Sequence, residues 1–422
     1  MMNQKVKTEC ISCGSPLSAD IVMIGEQYPS AVFVTEEDAM DNLHPTSLNL
    51  ARCSNEDCGL VQLSNEYNLQ QVFDHYPYES SLTATMKTIL KDVVEDAKKV
   101  VRLDENDVVL DIGGNDGTLL SLMDQPVKAR VNIDAAAGIK QVFSAPDYVH
   151  VHSQFNADVY TALNLPNPKL IFSIAMFYHL TDPLEFCRNI YKIMSDDSVW
   201  VLQMTYLGTM LTDNIFDNIV HEHAAYYSLA SLEFLLSQVG LSIAEARVVK
   251  SYGGSLRVFI VKDRTKFNGE YLLKDYAGIK QFELEHKTNT YEALYAFNSR
   301  VQLLGCSIKA IVDHIVSEYG CVWGFGASTK GNMLLQFLGI DKKQMPCILD
   351  NSAKKIGKMT IGSKISIIEE SSNLCKLPEY LLVLPYYYTS AFVKIIQKNL
   401  KAGQKVHLLI PLPYPQFITV SK

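Results

Sequence analysis

Two histidines flank a glutamate at His221-Glu222-His223, inside the run Asn214 to Ser228. A histidine changes protonation near neutral pH and can act as a general base, and a neighbouring carboxylate can orient it and raise its basicity. The spacing is i, i+2, which separates this segment from the helical H-E-x-x-H of zinc proteases. The same triplet also suits a surface turn with satisfied imidazoles, so the residues alone allow an acid–base site or a solvated loop. His179 closes the apolar run Leu170 to Tyr178 and reads either as a residue facing a crevice or as a packing histidine. Thr181-Asp182-Pro183 directly after it has the composition of a helix start. Tyr76-Pro77-Tyr78 forms a tyrosine-rich turn before the first long helical pattern; it is either a source of phenols or a linker.

Two glycine-rich loops and one cysteine cluster complete the chemistry-bearing set. Val108-Val109-Leu110-Asp111-Ile112-Gly113-Gly114-Asn115-Asp116-Gly117 is a strand running into a tight loop where glycine permits close ligand approach and positive φ. About 20 residues on, Val131-Asn132-Ile133-Asp134 ends a second strand in an acid, the place where nucleoside folds put a carboxylate on ribose hydroxyls. The acid-x-G-x-x-x-G form, rather than G-x-G-x-x-G, resembles S-adenosylmethionine sites more than NAD sites; a strand–helix turn that binds nothing is the alternative. The second loop, Gly324-Phe325-Gly326-Ala327-Ser328-Thr329-Lys330-Gly331-Asn332, offers amides, hydroxyls and a lysine at a helix start; it either cradles a phosphate or packs strand tightly on helix. Its glycine spacing is not that of a Walker A loop. Cys10-x2-Cys13 and Cys53-x4-Cys58, with Gly14 and Gly59 directly following, have the count and pairing of a tetrahedral, structural zinc site. Free thiols paired by chance are the alternative. His44 and His75 are spare ligands that a four-cysteine site does not need.

The elements that must position these residues alternate. The chain has 422 residues, 48% hydrophobic and 20% charged, enough for two or three domains. A formal charge of −8 disfavours nucleic acid and anionic membranes as partners. With no apolar run of 18 residues and no leader pattern, the chain is expected to be soluble and cytoplasmic. Of nine cysteines, the five outside the cluster are scattered singly, as expected of core thiols in a reducing compartment. Residues 80–100 read as a helix. Apolar runs at 107–112, 129–133, 169–174, 198–203 and 256–262 predict the strands of a doubly wound parallel sheet, with Gln154 and Phe155 following its third strand. Residues 265–315 read as a helical bridge. A second α/β unit begins at Cys321 and carries strands at 346–349, 380–384 and 406–410. The division expected is 1–75, 76–264 and 265–422.

Taken in order, these segments resemble the sugar C-methyltransferases that act on nucleotide-linked 4-keto-6-deoxy sugars. The resemblance spans nearly the whole chain. It rests on the paired cysteines, the Tyr76–Ser81 turn, Asp111 to Leu120, the His179 region, Phe216-Asp217 through His221-Glu222-His223 to Tyr226-Tyr227-Ser228, Gly253 to Arg257, and the Gly324–Asn332 loop. It implies a small zinc module, a central doubly wound S-adenosylmethionine domain and a C-terminal Rossmann-like α/β domain that helps enclose the nucleotide-sugar. It implies His223 as the base, with Glu222 beside it and His179 and Tyr76 in support. Asp111, Gly113, Asn115, Gly117, Asp134, Gln154 and Phe155 would hold the methyl donor. Tyr78, Ser328, Thr329, Lys330 and Asn332 would hold the sugar nucleotide, whether dTDP-, GDP- or CDP-linked. The enzyme would be a monomer or small homo-oligomer. Two positions depart from the family: Val220 stands where tyrosine is usual, and Met176 where asparagine is usual. They leave room for a non-catalytic binding protein; a nicotinamide-linked sugar oxidoreductase is the third reading, against which the loop spacing argues.

Overall fold

A computed structural model describes residues 6–36, 44–67, 79–136, 138–251, 253–266 and 274–422. The central layer is a seven-stranded sheet. Across it run Ser242–Val249, Ser255–Val261, Val199–Thr205, Leu170–Ile174, Val108–Ile112, Ala129–Asp134 and Tyr148–His152. All neighbours are parallel except Ser255–Val261, which is antiparallel to the strand on either side. Val108–Ile112, Leu170–Ile174 and Val199–Thr205 are buried at every position, as strands covered on both faces must be, and so they read as unbroken apolar runs. Strand order reverses between Val108–Ile112 and Leu170–Ile174, which opens a crevice at their carboxyl ends. The predicted helix at 80–100 is a one-turn Ser80–Leu82 followed by Ala84–Val100, whose N-terminal amide at Met86 is capped by Thr83 Oγ1.

The C-terminal sheet has eight strands in the order Gln416–Ser421, Lys405–Ile410, Tyr380–Val383, Trp323–Phe325, Cys347–Asp350, Ser366–Glu369, Met359–Thr360 and Phe33–Val34. Five of its six inner strands, Lys405–Ile410 through Ser366–Glu369, are parallel. Helices Lys274–Glu285 and Tyr291–Tyr319 occupy the stretch read as a helical bridge. The first of them sides with the central domain. Its Glu283 accepts from Leu229 N–H at 2.6 Å and Ala230 N–H at 3.1 Å, at the N-terminus of helix Leu229–Ser237, and from Tyr206 OH at 2.8 Å.

Two short strands cross between units. The N-terminal sheet of Val22–Gln27, Thr46–Arg52 and Val61–Leu63 is completed by Ala225–Tyr226 of the central domain. Phe33–Val34 leaves the N-terminal module to form the edge of the C-terminal sheet, against Met359–Thr360. Among the described residues no helix is long and apolar enough to cross a membrane.

Candidate active site

The four N-terminal cysteines converge. The sulfurs of Cys10, Cys13, Cys53 and Cys58 all lie within 4.8 Å of one another, with Cys10–Cys58 at 3.8 Å and Cys13–Cys53 at 3.5 Å. Zinc–sulfur bonds of about 2.3 Å in a tetrahedron set sulfurs about 3.8 Å apart, so the cluster fits zinc. Gly14 and Gly59 have φ of +71° and +52°, the left-handed turn that lets each knuckle fold back, and Ser12 N–H points at Cys10 Sγ at 3.4 Å. Four thiolates leave no open position, which makes the site structural.

At the carboxyl end of the first central strand, Gly113 and Gly117 take φ of +70° and +80°, and Asn115 takes +54°. The loop is closed by neighbours. A Cβ on Gly114 would lie 2.5 Å from both Asn132 Oδ1 and Asp111 Oδ2, and one on Gly117 would lie 2.5 Å from Tyr148 OH. Asp134 accepts from Asn115 N–H at 2.7 Å through one oxygen and from Ala136 N–H at 2.7 Å through the other, leaving each a second lone pair. Asp111 is buried and its Oδ2 has no partner; burial, then the Asp134 and Asp116 carboxylates, push it up to about 8. A cation placed over this loop would restore its charge, and the α-ammonium of S-adenosylmethionine is such a cation. Gln154 is exposed and Phe155 half-buried against Phe186, both beyond strand Tyr148–His152.

The H-E-H turn meets the residues that follow strand Leu170–Ile174. His223 Nδ1 lies 2.8 Å from the Asn218 carbonyl, which only accepts, so Nδ1 carries the proton and Nε2 the free lone pair. Thus the group that orients His223 is a backbone carbonyl rather than Glu222. Its ring stacks on His179 at 5.5 Å between centroids and meets Tyr178 edge-on at 4.3 Å. Burial, then His179 and Lys330, hold it well below the ordinary imidazole range. Glu222 is buried with Oε2 unpartnered, and burial pushes it up to about 7. His221 donates from Nε2 to the Gln27 carbonyl at 3.1 Å, leaving Nδ1 an unpartnered acceptor.

The second glycine loop comes near the same turn. Ser328 caps helix Thr329–Leu338 by accepting from Gly331 N–H at 3.0 Å. Lys330 lies over the Tyr387 ring at 5.2 Å. Burial lowers it and the Asp217 carboxylate opposes that shift. Asp217, fully buried, accepts from Tyr386 OH at 3.3 Å, and burial raises it. The structure therefore brings Lys330 into the electrostatic field of His223. Asn332 gives its Nδ2 to the Ser30 carbonyl at 2.9 Å and keeps a buried, unpartnered Oδ1.

Sequence reading missed part of this lining. Gln27, Ser30, Asp217 and Asn218 are each no more than 2% exposed and each has an unpartnered side-chain oxygen or nitrogen. Tyr386, from the end of strand Tyr380–Val383, is missed as well. For Tyr386 the available signal was the density of tyrosine at 386–388, and for Asp217 and Asn218 it was their place in the run leading to His221-Glu222-His223. Tyr76 and Tyr78, and the spare His75, lie outside the described residues. The departure Met176 packs its side chain against Gly113, whose Cβ would fall 3.0 Å from Met176 Cγ. It follows Ala175, a non-glycine residue at φ +57° at the end of strand Leu170–Ile174. Val220 is buried in the apolar cluster of Phe216, Ile219 and Phe297.

Three family models match consecutive stretches: a domain described as zinc binding over residues 10–73, a methyltransferase domain over 82–246, and a C-methyltransferase C-terminal domain over 250–413. Read in order, the three matches cover most of the chain and end on the part described as the C-terminal domain of a C-methyltransferase. The protein is an S-adenosylmethionine-dependent methyltransferase with an N-terminal zinc module. A relative, the C-methyltransferase NovU of Streptomyces niveus, is 24% identical over 98% of this chain and 97% of its own length. Solved structures with partial similarity include YcgJ of Bacillus subtilis, at 13% identity and TM-score 0.32, covering 40% of this chain and 98% of that one. Another is CalO1, a methyltransferase in calicheamicin biosynthesis in its SAH-bound form, at 14% identity and TM-score 0.32, covering 42% of this chain and 55% of that one.

Proposed function

We propose that this C-methyltransferase methylates C3 of a nucleotide-linked 4-keto-6-deoxy sugar, through an enolate formed by His223. The observation that carries the reading is the geometry at His223: its Nδ1 is held by the Asn218 carbonyl, which leaves the lone pair on Nε2, and its ring stacks on His179 with Lys330 close enough to act on it electrostatically. A ketone at C4 acidifies the C3 proton, and Nε2 of His223 is the atom to take it. Negative charge then gathers on O4. The N–H of a neutral His179, or the phenol of Tyr76, would hold it in the manner of an oxyanion hole. S-adenosylmethionine, when bound, supplies the methyl as a sulfonium electrophile. The protein's part is to orient C3 in line with that methyl and to exclude water.

Asp111, the Gly113–Gly117 loop with Asn115, and Asp134 suit the donor's methionine and ribose ends, and Gln154 and Phe155 its adenine. Ser328, Thr329, Lys330 and Asn332, with Tyr78, suit the diphosphate side of the sugar nucleotide. The relative's name, a C-methyltransferase, supports the same bond type. We place the working domain limits at 75/76 and 264/265.

A labelled-methyl assay over dTDP-, GDP- and CDP-linked 4-keto sugars tests the reading. His223→Asn should lower turnover by about 10² or more while leaving donor affinity unchanged. Full activity in that variant would rule His223 out as the base.

A further inference from the structure

The zinc module is joined to the H-E-H turn by an unbroken chain of hydrogen bonds. Cys53 and Cys58 sit on the hairpin between strands Thr46–Arg52 and Val61–Leu63, and Cys53 N–H donates to the Leu60 carbonyl at 2.8 Å. Val61–Leu63 pairs with Ala225–Tyr226, in the register Ala225↔Gln62 and Tyr226↔Val61. Leu63 N–H donates to the Ala224 carbonyl at 3.0 Å, and Ala224 directly follows His223. The other knuckle is tied to the same strand through one side chain. Gln62, fully buried, accepts from Ile11 N–H at 2.9 Å, between the ligands Cys10 and Cys13, and reaches the Glu9 carbonyl from Nε2 at 3.5 Å. A further tie runs from Gln238 Nε2 to the Ser12 carbonyl at 3.1 Å. Cys10, Cys53, Cys58, Ala225 and Tyr227 belong to one apolar cluster.

We propose that the zinc module is the splint of the H-E-H turn, and that Gln62 is the positioning residue through which closure of the four-cysteine cluster fixes His223. This rests on the assignment of His223 as the base, but the structural part can be judged without it. Pairing with Val61–Leu63 is the hydrogen-bonded support of the strand that ends the turn. The turn is held elsewhere by the Asn218 carbonyl on His223 Nδ1, the Val220 carbonyl on its N–H at 3.1 Å and the Gln27 carbonyl on His221 Nε2, and past the strand Leu207 N–H donates to the Tyr227 carbonyl at 2.9 Å. A knuckle that opens frees Ile11 N–H from Gln62 and leaves a buried amide oxygen unsatisfied, which favours withdrawal of the strand. The donor loop at Asp111–Gly117 has no part in this chain of bonds. Loss of the splint should therefore separate donor binding from proton abstraction.

The test compares the full chain as zinc-loaded protein, after chelator stripping and after reloading, with Gln62→Leu, which keeps all four thiols. Three quantities are measured: amide hydrogen exchange of peptides covering 219–226 and 111–117, calorimetric affinity for S-adenosylmethionine, and incorporation of solvent deuterium next to the ketone of a 4-keto sugar nucleotide without methyl donor. In stripped and Gln62→Leu protein, exchange at 219–226 should rise about tenfold or more while 111–117 and donor affinity stay as they were, and zinc reloading should restore the wild type. Unchanged protection at 219–226 overturns the proposal. So does parallel loosening of 111–117, which would make the module a general stabiliser. If the wild type fails to incorporate deuterium with every keto-sugar tried, the function above fails, and the exchange data still decide whether the module holds the turn.

Discussion

The imidazole of His223 is fixed from one side by a carbonyl that cannot donate, so its tautomer needs no carboxylate partner. Glu222, next to it in the chain, is then free to matter in another way. It is buried, its Oε2 has no partner, and it sits at about 7 against a usual 4.5. A carboxyl raised in the folded state contributes its full stability below its unfolded value, and that contribution is lost as pH rises through 7. Between pH 5 and 8 the wild type should lose stability that Glu222→Gln keeps, up to about 3 kcal/mol at pH 8, read by denaturant unfolding. The buried imidazoles work in the opposite direction. Burial lowers His221 to about 4, so the unfolded chain gains a proton below about pH 6.5 that the native turn refuses. Stability from this residue should fall as pH drops from 6.5 towards 4, and His221→Gln should flatten that limb. At this scale the sequence was a partial guide. H-E-H flags a titratable cluster, but no spacing reveals that Asn218, rather than Glu222, sets the tautomer, because that bond goes to a backbone carbonyl.

Elements bring these residues together by rules that the sequence displays unevenly. Strands buried on both faces stand out as apolar runs, so Val108–Ile112, Leu170–Ile174 and Val199–Thr205 are legible within a residue or two. Tyr148–His152 lies at the sheet edge with partly exposed residues throughout, and Ser242–Val249 mixes in Glu245 and Arg247, so neither forms an apolar run. The loop after the first strand was legible because glycine is needed there for two separate reasons. Gly113 and Gly117 supply positive φ, whereas Gly114 supplies space. Gly114→Ala should therefore act without any φ penalty. Its Cβ would strike Asn132 Oδ1 and Asp111 Oδ2, and the loop should shift at a cost of about 1–3 kcal/mol, weakening S-adenosylmethionine binding at least tenfold by calorimetry. The short strands Phe33–Val34 and Ala225–Tyr226 were illegible for a different reason: two residues carry no periodicity, and their partners lie far away in the chain.

Across the whole molecule the cleft draws on all three units, and Lys330 is the clearest case. It belongs to the C-terminal domain, yet its charge acts on His223, the proposed base, in the central one. Removing a nearby cation makes an imidazole easier to protonate. Lys330→Gln should thus move the acid limb of the pH–rate profile to higher pH and raise KM for the sugar nucleotide about tenfold, with donor affinity unchanged. An acid limb that stays in place would mean that Lys330 does not act on His223. The second loop's role as either an anion cradle or a packing turn could not be settled from its letters, since Ser328, Thr329 and Lys330 are also an ordinary capped helix start.

Phe33–Val34 closes the far sheet only by reaching Met359–Thr360, across more than three hundred residues of intervening chain. During synthesis on the ribosome, the N-terminal segment must wait unpaired until the C-terminal strands emerge. Contacts of such separation form late and slowly. The strap 27–34 also carries the carbonyls that hold His221 and Asn332. A nascent chain with a folded methyl-donor domain would thus still lack a finished site, and the proposed enolate could not form before the C-terminal strands had emerged.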